Sequence, residues 1–174
     1  MKTELYWIRT PTSGRLAIMP RPRGGEWLED EVRAWRSAGV DIVVSLLTTD
    51  EITDLDLVTE QTLCEAHQIQ FISFPIIDRG VPASTHAALE LFTTLSNQLA
   101  EGKSIAIHCR QGIGRAALVA ICVLIQSGVA MESAIQQVGS ARGCSVPETL
   151  EQRRWISAFV ASLRSSSSDP LPMN

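Results

Sequence analysis

The chain has 174 residues, 45% of them hydrophobic, and a formal net charge of −4 from 15 basic and 19 acidic side chains. That suffices for one domain with a sizeable core, and the acidic balance argues against a general nucleic-acid binder, which needs a basic surface. Its four cysteines, Cys64, Cys109, Cys122 and Cys144, are widely spaced with no Cys-x-x-Cys pair, so neither a zinc site nor a disulfide framework is indicated, and a reducing cytoplasm suits them best.

Met1-Lys2-Thr3-Glu4 leads into no apolar segment of signal-peptide length. The longest apolar run, Ala116 to Ile125, falls short of the roughly 20 residues of a membrane span, so a soluble cytoplasmic protein is expected. Tyr6-Trp7-Ile8 and Leu16-Ala17-Ile18-Met19, separated by Pro11-Thr12-Ser13-Gly14, read as two short strands at a sheet edge. In the Pro20 to Gly25 loop, Arg21 and Arg23 either face an anionic substrate or are simply solvated. Glu26 to Ser37 places Trp27, Leu28, Val32 and Trp35 at helical spacing, with Gly39 as the residue that ends the helix. Asp41 to Leu47 is the nearly continuous apolar run of an interior strand. The acidic stretch Asp50 to Asp56 leads into a helix near Val58 to His67, whose Cys64 and His67 are read as structural, and Phe71 to Phe74 is the next strand.

Asp78 lies on Pro75 to Pro82, after a strand end and between Pro75 and the Gly80/Pro82 pair, where a loop can carry a movable acid on a stable scaffold. Taken alone it reads equally as a turn aspartate bonded to its own backbone. Arg79 beside it either guides substrate or pairs with a neighbour. Ser84 to Gly102 is an amphipathic helix with Ala88, Leu91, Phe92, Leu95 and Leu99 on one face, and Lys103 to His108 is a buried strand.

Between that strand and the apolar helix Arg115 to Gln126 lies Cys109-Arg110-Gln111-Gly112-Ile113-Gly114. A glycine-bearing turn at a helix N-terminus lets successive N–H groups point inward and bind a phosphate-sized oxyanion. A cysteine there is stabilised as the thiolate, and the Arg115 fork can hold two phosphate oxygens. His108 either orients this loop or is a hydrogen-bonded core residue. Strand and helix alternation gives an α/β fold, a central, mostly parallel mixed sheet flanked by helices, with the cradle at a strand's carboxyl end.

Met131, Ala134, Ile135 and Val138 mark another helix, ending near Gly143; Val146 to Thr149 starts a last one with Trp155, Ile156, Phe159, Val160 and Leu163 on its apolar side. Thr149 and Gln152 have capping-box spacing. Residues 1–164 are expected to form a single domain, and 165–174, beginning with Ser165-Ser166-Ser167-Ser168, a disordered tail.

His108-Cys109, five residues, then Arg115 resembles the signature of the cysteine-dependent protein tyrosine phosphatase superfamily, and the small size resembles its dual-specificity branch. The resemblance runs from about Leu16 to Leu163 and implies that fold, a phosphocysteine intermediate on Cys109, charge stabilisation by Arg115 and a general acid at Asp78. The 31 positions from Asp78 to Cys109 (109 − 78) match the spacing of the small enzymes. His108, Arg110, Gln111, Gly112, Ile113 and Gly114 would hold substrate. Gln152 would position the hydrolytic water if it is not only a cap. Cys64 would be a resolving thiol for Cys109. Ala116 departs from the family, which carries Ser or Thr there. The implied function is hydrolysis of phosphotyrosine, and of phosphoserine or phosphothreonine, in proteins by a cytoplasmic monomer needing no metal or cofactor. Alternatives are a phosphate-binding pseudophosphatase module, kept open by Ala116, and a phosphatase of phosphoinositides or small esters, which usually has more basic loops. A rhodanese-like loop closes one residue earlier, and low-molecular-weight phosphatases place the cysteine near the N-terminus.

Overall fold

Five short strands carry the architecture: β1 (Tyr6–Ile8), β2 (Arg15–Met19), β3 (Ile42–Ser45), β4 (Gln70–Ser73) and β5 (Ser104–His108). In this computed structural model, which describes residues 3–167, they form one sheet in the order β1-β2-β5-β3-β4. β1 runs antiparallel to β2, and the other pairings are parallel. The expected mixed, mostly parallel sheet is therefore present. β1 forms an edge, whereas β2 is paired on both sides, so the N-terminal strands do not form an edge together.

The helices are α1 (Leu28–Ser37), α2 (Thr49–Asp54), α3 (Glu60–Ala66), α4 (Thr85–Ala100), α5 (Arg115–Gln126), α6 (Met131–Arg142) and α7 (Leu150–Ser166). Successive side chains of a strand point to opposite faces, and β5 distributes the core accordingly. Ile105, Ile107 and, just beyond the strand, Cys109 join the large cluster that includes Phe92 of α4, Leu118 of α5, Val138 of α6 and Ile156 of α7. Ala106 joins a separate cluster with Val32 and Trp35 of α1 and Cys64 of α3. Phe92 meets Phe159 edge-on at 5.2 Å, and Phe159 stacks on Trp155 at 5.8 Å, which fastens α4 to α7.

The helix expected from Glu26 starts at Leu28, after a 3-10 turn over Gly25–Trp27 that leaves Trp27 half exposed, and two further boundaries differ more. The acidic stretch contains a helix of its own, α2, because Thr48 and Glu51 make a capping box that starts a turn without any apolar stripe. At the other end, Ser165 and Ser166 belong to α7 rather than to a tail. Their hydroxyls donate to the carbonyls of Ala161 and Ser162, so the polar side chains are satisfied by the helix itself. Ser167 caps α7, and the remainder of the expected tail, 168–174, lies outside the described residues. Among those residues no helix is long and apolar enough to cross a membrane.

Because β2, β5, β3 and β4 are parallel, their carboxyl ends lie along one edge of the sheet. The loops that leave β2, β3, β4 and β5 gather there.

Candidate active site

The loop after β5 is braced by both neighbouring strands. The Leu46 N–H donates to the His108 carbonyl at 3.0 Å, and the Arg21 N–H donates to the Arg110 carbonyl at 3.2 Å. Gly112 has φ +71, and a Cβ on it would lie 2.7 Å from the Met19 carbonyl and 2.9 Å from the Pro20 nitrogen, all backbone. Only glycine satisfies both the conformation and the close approach. That geometry aims the Gly112 N–H at Cys109 Sγ, 3.3 Å away. Cys109 is 3% exposed. Ala116, in the first turn of α5, is fully buried and offers the sulfur no hydroxyl.

Arg115 opens α5 and is almost wholly buried. Its Nη1 donates to Glu51 Oε2 at 2.7 Å and to the Ile76 carbonyl at 2.8 Å, and its Nη2 donates to Glu51 Oε1 and Asp78 Oδ1, both at 2.9 Å. A guanidinium has five N–H donors. Burial works against the Arg115 charge, but the hydrogen bonds to Glu51 and the nearby Cys109, Glu51 and Asp78 charges outweigh it and hold the group protonated more firmly than usual. For Glu51, burial pushes the carboxyl pKa up, while the Arg115 bonds and the Thr48 N–H more than offset it and hold it below the ordinary range. Glu51 escaped the sequence reading. Its signal was the Thr48-x-x-Glu51 pattern, whose capping box also fixes the carboxylate through the Thr48 N–H at 3.0 Å.

Asp78 reaches Arg115 from the loop after β4, with its side chain half exposed. The loop turns on the Gly80 N–H bond to the Ile77 carbonyl, and Arg79 between them has φ +59. The Arg79 guanidinium pairs with Glu148 at 2.6 Å, the neighbour alternative for this residue. Asp78, Arg79, Cys109, Arg110, Arg115 and Glu148, with Gln111, line a cavity of about 110 Å³. The structure thus brings together Cys109, Arg115, Asp78, Arg110 and Gln111 around one small polar cavity. Glu148 is a further lining residue that no local sequence pattern marks.

Other predicted residues sit elsewhere. His108 is fully buried and, by strand alternation, points to the face opposite Cys109; its Nε2 lies 2.7 Å from Glu60 Oε1 and its Nδ1 3.4 Å from the Cys109 carbonyl, so it is a hydrogen-bonded core residue that also touches the loop. Ile113 packs against the core. Gly114 backs onto the last helix: a Cβ there would meet Glu148 Oε2 at 2.8 Å and Gln152 Nε2 at 3.1 Å. Gln152 is buried, accepts from the Thr149 N–H as the capping box requires, and donates to the Gly80 carbonyl at 3.1 Å. Arg23 pairs with Glu31 and lies over Trp27, while Arg21 Nη1 donates to the adjacent Pro22 carbonyl. Cys64 is buried across the sheet from Cys109, its thiol pKa pushed far up by burial and by Glu60 and Glu65. A disulfide between them is incompatible with this packing.

Comparison with known proteins bears on the same stretch. The family model described as "Polymorphic toxin system, DSP-PTPase phosphatase" matches residues 17–129, more than half of the chain. Cyclin-dependent kinase inhibitor 3 of Rattus norvegicus is 26% identical over 134 residues, 76% of this chain and 63% of that protein, so the chain spans less than two thirds of that relative's length. A crystal structure of kinase associated phosphatase, with its catalytic site cysteine replaced by serine, superimposes with a TM-score of 0.83 at 21% identity. It covers 95% of this chain and 98% of that one, a likeness of fold. Tk-PTP in its active form gives a TM-score of 0.67 at 28% identity, over 84% of this chain and 91% of its own.

Proposed function

Since the chain belongs to the DSP-PTPase phosphatase family, we propose that it hydrolyses phosphomonoesters on proteins, phosphotyrosine first and phosphoserine or phosphothreonine as well, through a phosphocysteine. One observation carries this reading. Cys109 Sγ, held by the Gly112 N–H, Arg115 and Asp78 border the same small cavity.

In the first step the Cys109 thiolate attacks phosphorus, an S–P bond forms, and the P–O bond to the leaving group breaks. The leaving oxygen keeps the electron pair and takes the proton from Asp78. The loop N–H groups and Arg115 stabilise the charge on the equatorial oxygens. In the second step water attacks the phosphocysteine and gives its proton to the Asp78 carboxylate. The S–P bond breaks, thiolate is regenerated and phosphate leaves. Every proton in the cycle is held by a group of this chain or by water.

Protein substrates are favoured by the surroundings of the cavity. Ile77, next to Asp78, and Leu150, two residues beyond Glu148, are both strongly exposed and offer apolar contact to a polypeptide flanking the phosphate. The four free cysteines accord with a reducing cytoplasm, where the monomer is proposed to act. The pseudophosphatase reading keeps one supporting observation, the absence of a hydroxyl at Ala116.

Hydrolysis of p-nitrophenyl phosphate in the presence of a metal chelator tests the proposal. Wild-type activity is expected to survive chelation, to vanish in Cys109→Ser and to fall strongly in Asp78→Asn. Tight phosphopeptide binding without turnover would instead select the binding-module reading.

A further inference from the structure

A carboxylate is an unfavourable lining for a cavity that takes a phosphate, because it repels the dianion. Glu148 is nonetheless such a lining residue, and its side chain is only 24% exposed. Its Oε1 lies 2.6 Å from Arg79 Nη1, another lining residue, while its Oε2 lies against Gly114 of the anion loop. Glu148 therefore touches both the loop that carries Asp78 and the loop that carries Cys109.

Arg79 itself is backbone-strained. Its φ of +59 is the left-handed region, which a long-chain residue adopts only where its surroundings impose it. Three contacts impose it: the Arg79–Glu148 pair, the Gln152 amide on the Gly80 carbonyl, and the Gly80 N–H on the Ile77 carbonyl. A fourth tie, Asp78 to Arg115, cannot serve during the reaction. It uses an Nη2 donor that a bound phosphate would take, and an Asp78 that protonates the leaving oxygen is no longer a carboxylate bonded to Arg115. Once substrate is in place, the position of Asp78 rests on the contacts made by Arg79 and Gly80.

We propose that Glu148 is a positioning residue for the general acid: by pairing with Arg79 it holds the 77–80 turn so that Asp78 stands over the leaving oxygen. The proposal rests on the phosphatase reading for its kinetic consequence but not for the loop contact itself. An ion pair whose Arg79 side is largely exposed is a weak tie, sufficient to bias the turn.

The test uses two substrates and one substrate-free measurement on wild type, Glu148→Gln, Arg79→Ala and the double variant. Phenyl phosphate has a leaving oxygen that needs a proton, and dinitrophenyl phosphate has one that leaves without it. Glu148→Gln is expected to lower the ratio of kcat/KM for phenyl phosphate to that for dinitrophenyl phosphate by about fivefold, the scale of an exposed pair, since relief of charge repulsion acts alike on both dianions and cancels in the ratio. Arg79→Ala should show the same selective loss, and the double variant should be no worse than either single one. Amide hydrogen exchange at Gly80, read without substrate, should quicken in both single variants. An unchanged ratio between the two substrates overturns the positioning role. Unchanged Gly80 exchange overturns the loop contact, and this readout holds even for a chain that turns over neither substrate, an outcome that would sink the phosphatase reading separately.

Discussion

Arg115 Nη2 donates to Asp78 Oδ1 at 2.9 Å, so the group assigned to grip phosphate is engaged by the group assigned to donate the proton. The carboxylate occupies a donor that an incoming anion needs. Asp78→Asn removes that charge. Its expected effect is a fall in kcat of roughly a hundredfold or more on phosphotyrosine, the usual scale for loss of a general acid. Inorganic phosphate should bind up to about fivefold more tightly, since a half-exposed competing carboxylate is gone. Kinetics with phosphotyrosine and calorimetric titration with phosphate check the two parts, and weaker phosphate binding would contradict the competition.

Glu51 gives the second prediction. It holds both terminal nitrogens of a buried arginine, and removing one partner of a buried pair costs up to about 3–5 kcal/mol, a loss that the remaining Asp78 carboxylate on Nη2 lessens here. Glu51→Ala should therefore unfold at markedly lower denaturant and lose turnover. The pH dependence has a definite sign. The folded-state carboxyl lies below its ordinary value, so its contribution is complete above the unfolded value of about 4.3 and is lost as pH falls through the lower folded value. The stability gap between wild type and Glu51→Gln should shrink as urea titrations move from neutral pH to well below pH 4. A gap that widens in acid would refute the assignment.

Gly112→Ala should be damaging out of proportion to one methyl group. Its Cβ would meet backbone of Met19 and Pro20, which has no rotamer with which to move aside, and φ +71 would be strained in any case. We expect a lower Tm and loss of most p-nitrophenyl phosphatase activity. Near wild-type values of both would mean that the loop reorganises freely.

Ala116 bears on the second chemical step. Among the described residues Gly112 alone donates a hydrogen bond to Cys109 Sγ, and a further donor to the departing thiolate would be worth about 1.5–3 kcal/mol. That is roughly one to two orders of magnitude in rate. Wild type should show a burst of nitrophenol followed by slow turnover in stopped-flow experiments, and Ala116→Ser should turn over faster with a smaller burst. Absence of a burst together with no gain for the serine variant would rule this out.

The cradle was legible because its residues are contiguous: the strand, the glycines and the arginine lie within one short run and obey local rules. Asp78 was legible only once Cys109 had been noticed, since a loop aspartate by itself signals a turn. Glu51 was hidden for a physical reason. The charge on Arg115 is balanced from 64 positions away (115 − 51), and α2 is too short and too polar to show helical periodicity. Glu148 was hidden because its value lies in touching two loops at once, a relation that exists only after folding. His108 is a similar case. Its two readings, loop-orienting or hydrogen-bonded core residue, stay open in the sequence because the partners, Glu60 and the Cys109 carbonyl, meet one ring only in the folded chain.

The sheet that separates Cys64 from Cys109 also decides how the nucleophile survives peroxide. A sulfenic acid formed on Cys109 cannot be trapped as a disulfide by Cys64 while the strands stay paired. Relief from over-oxidation through that thiol is therefore closed, and recovery falls to small thiols or reductants that reach the sulfur through the same opening that admits the phosphate.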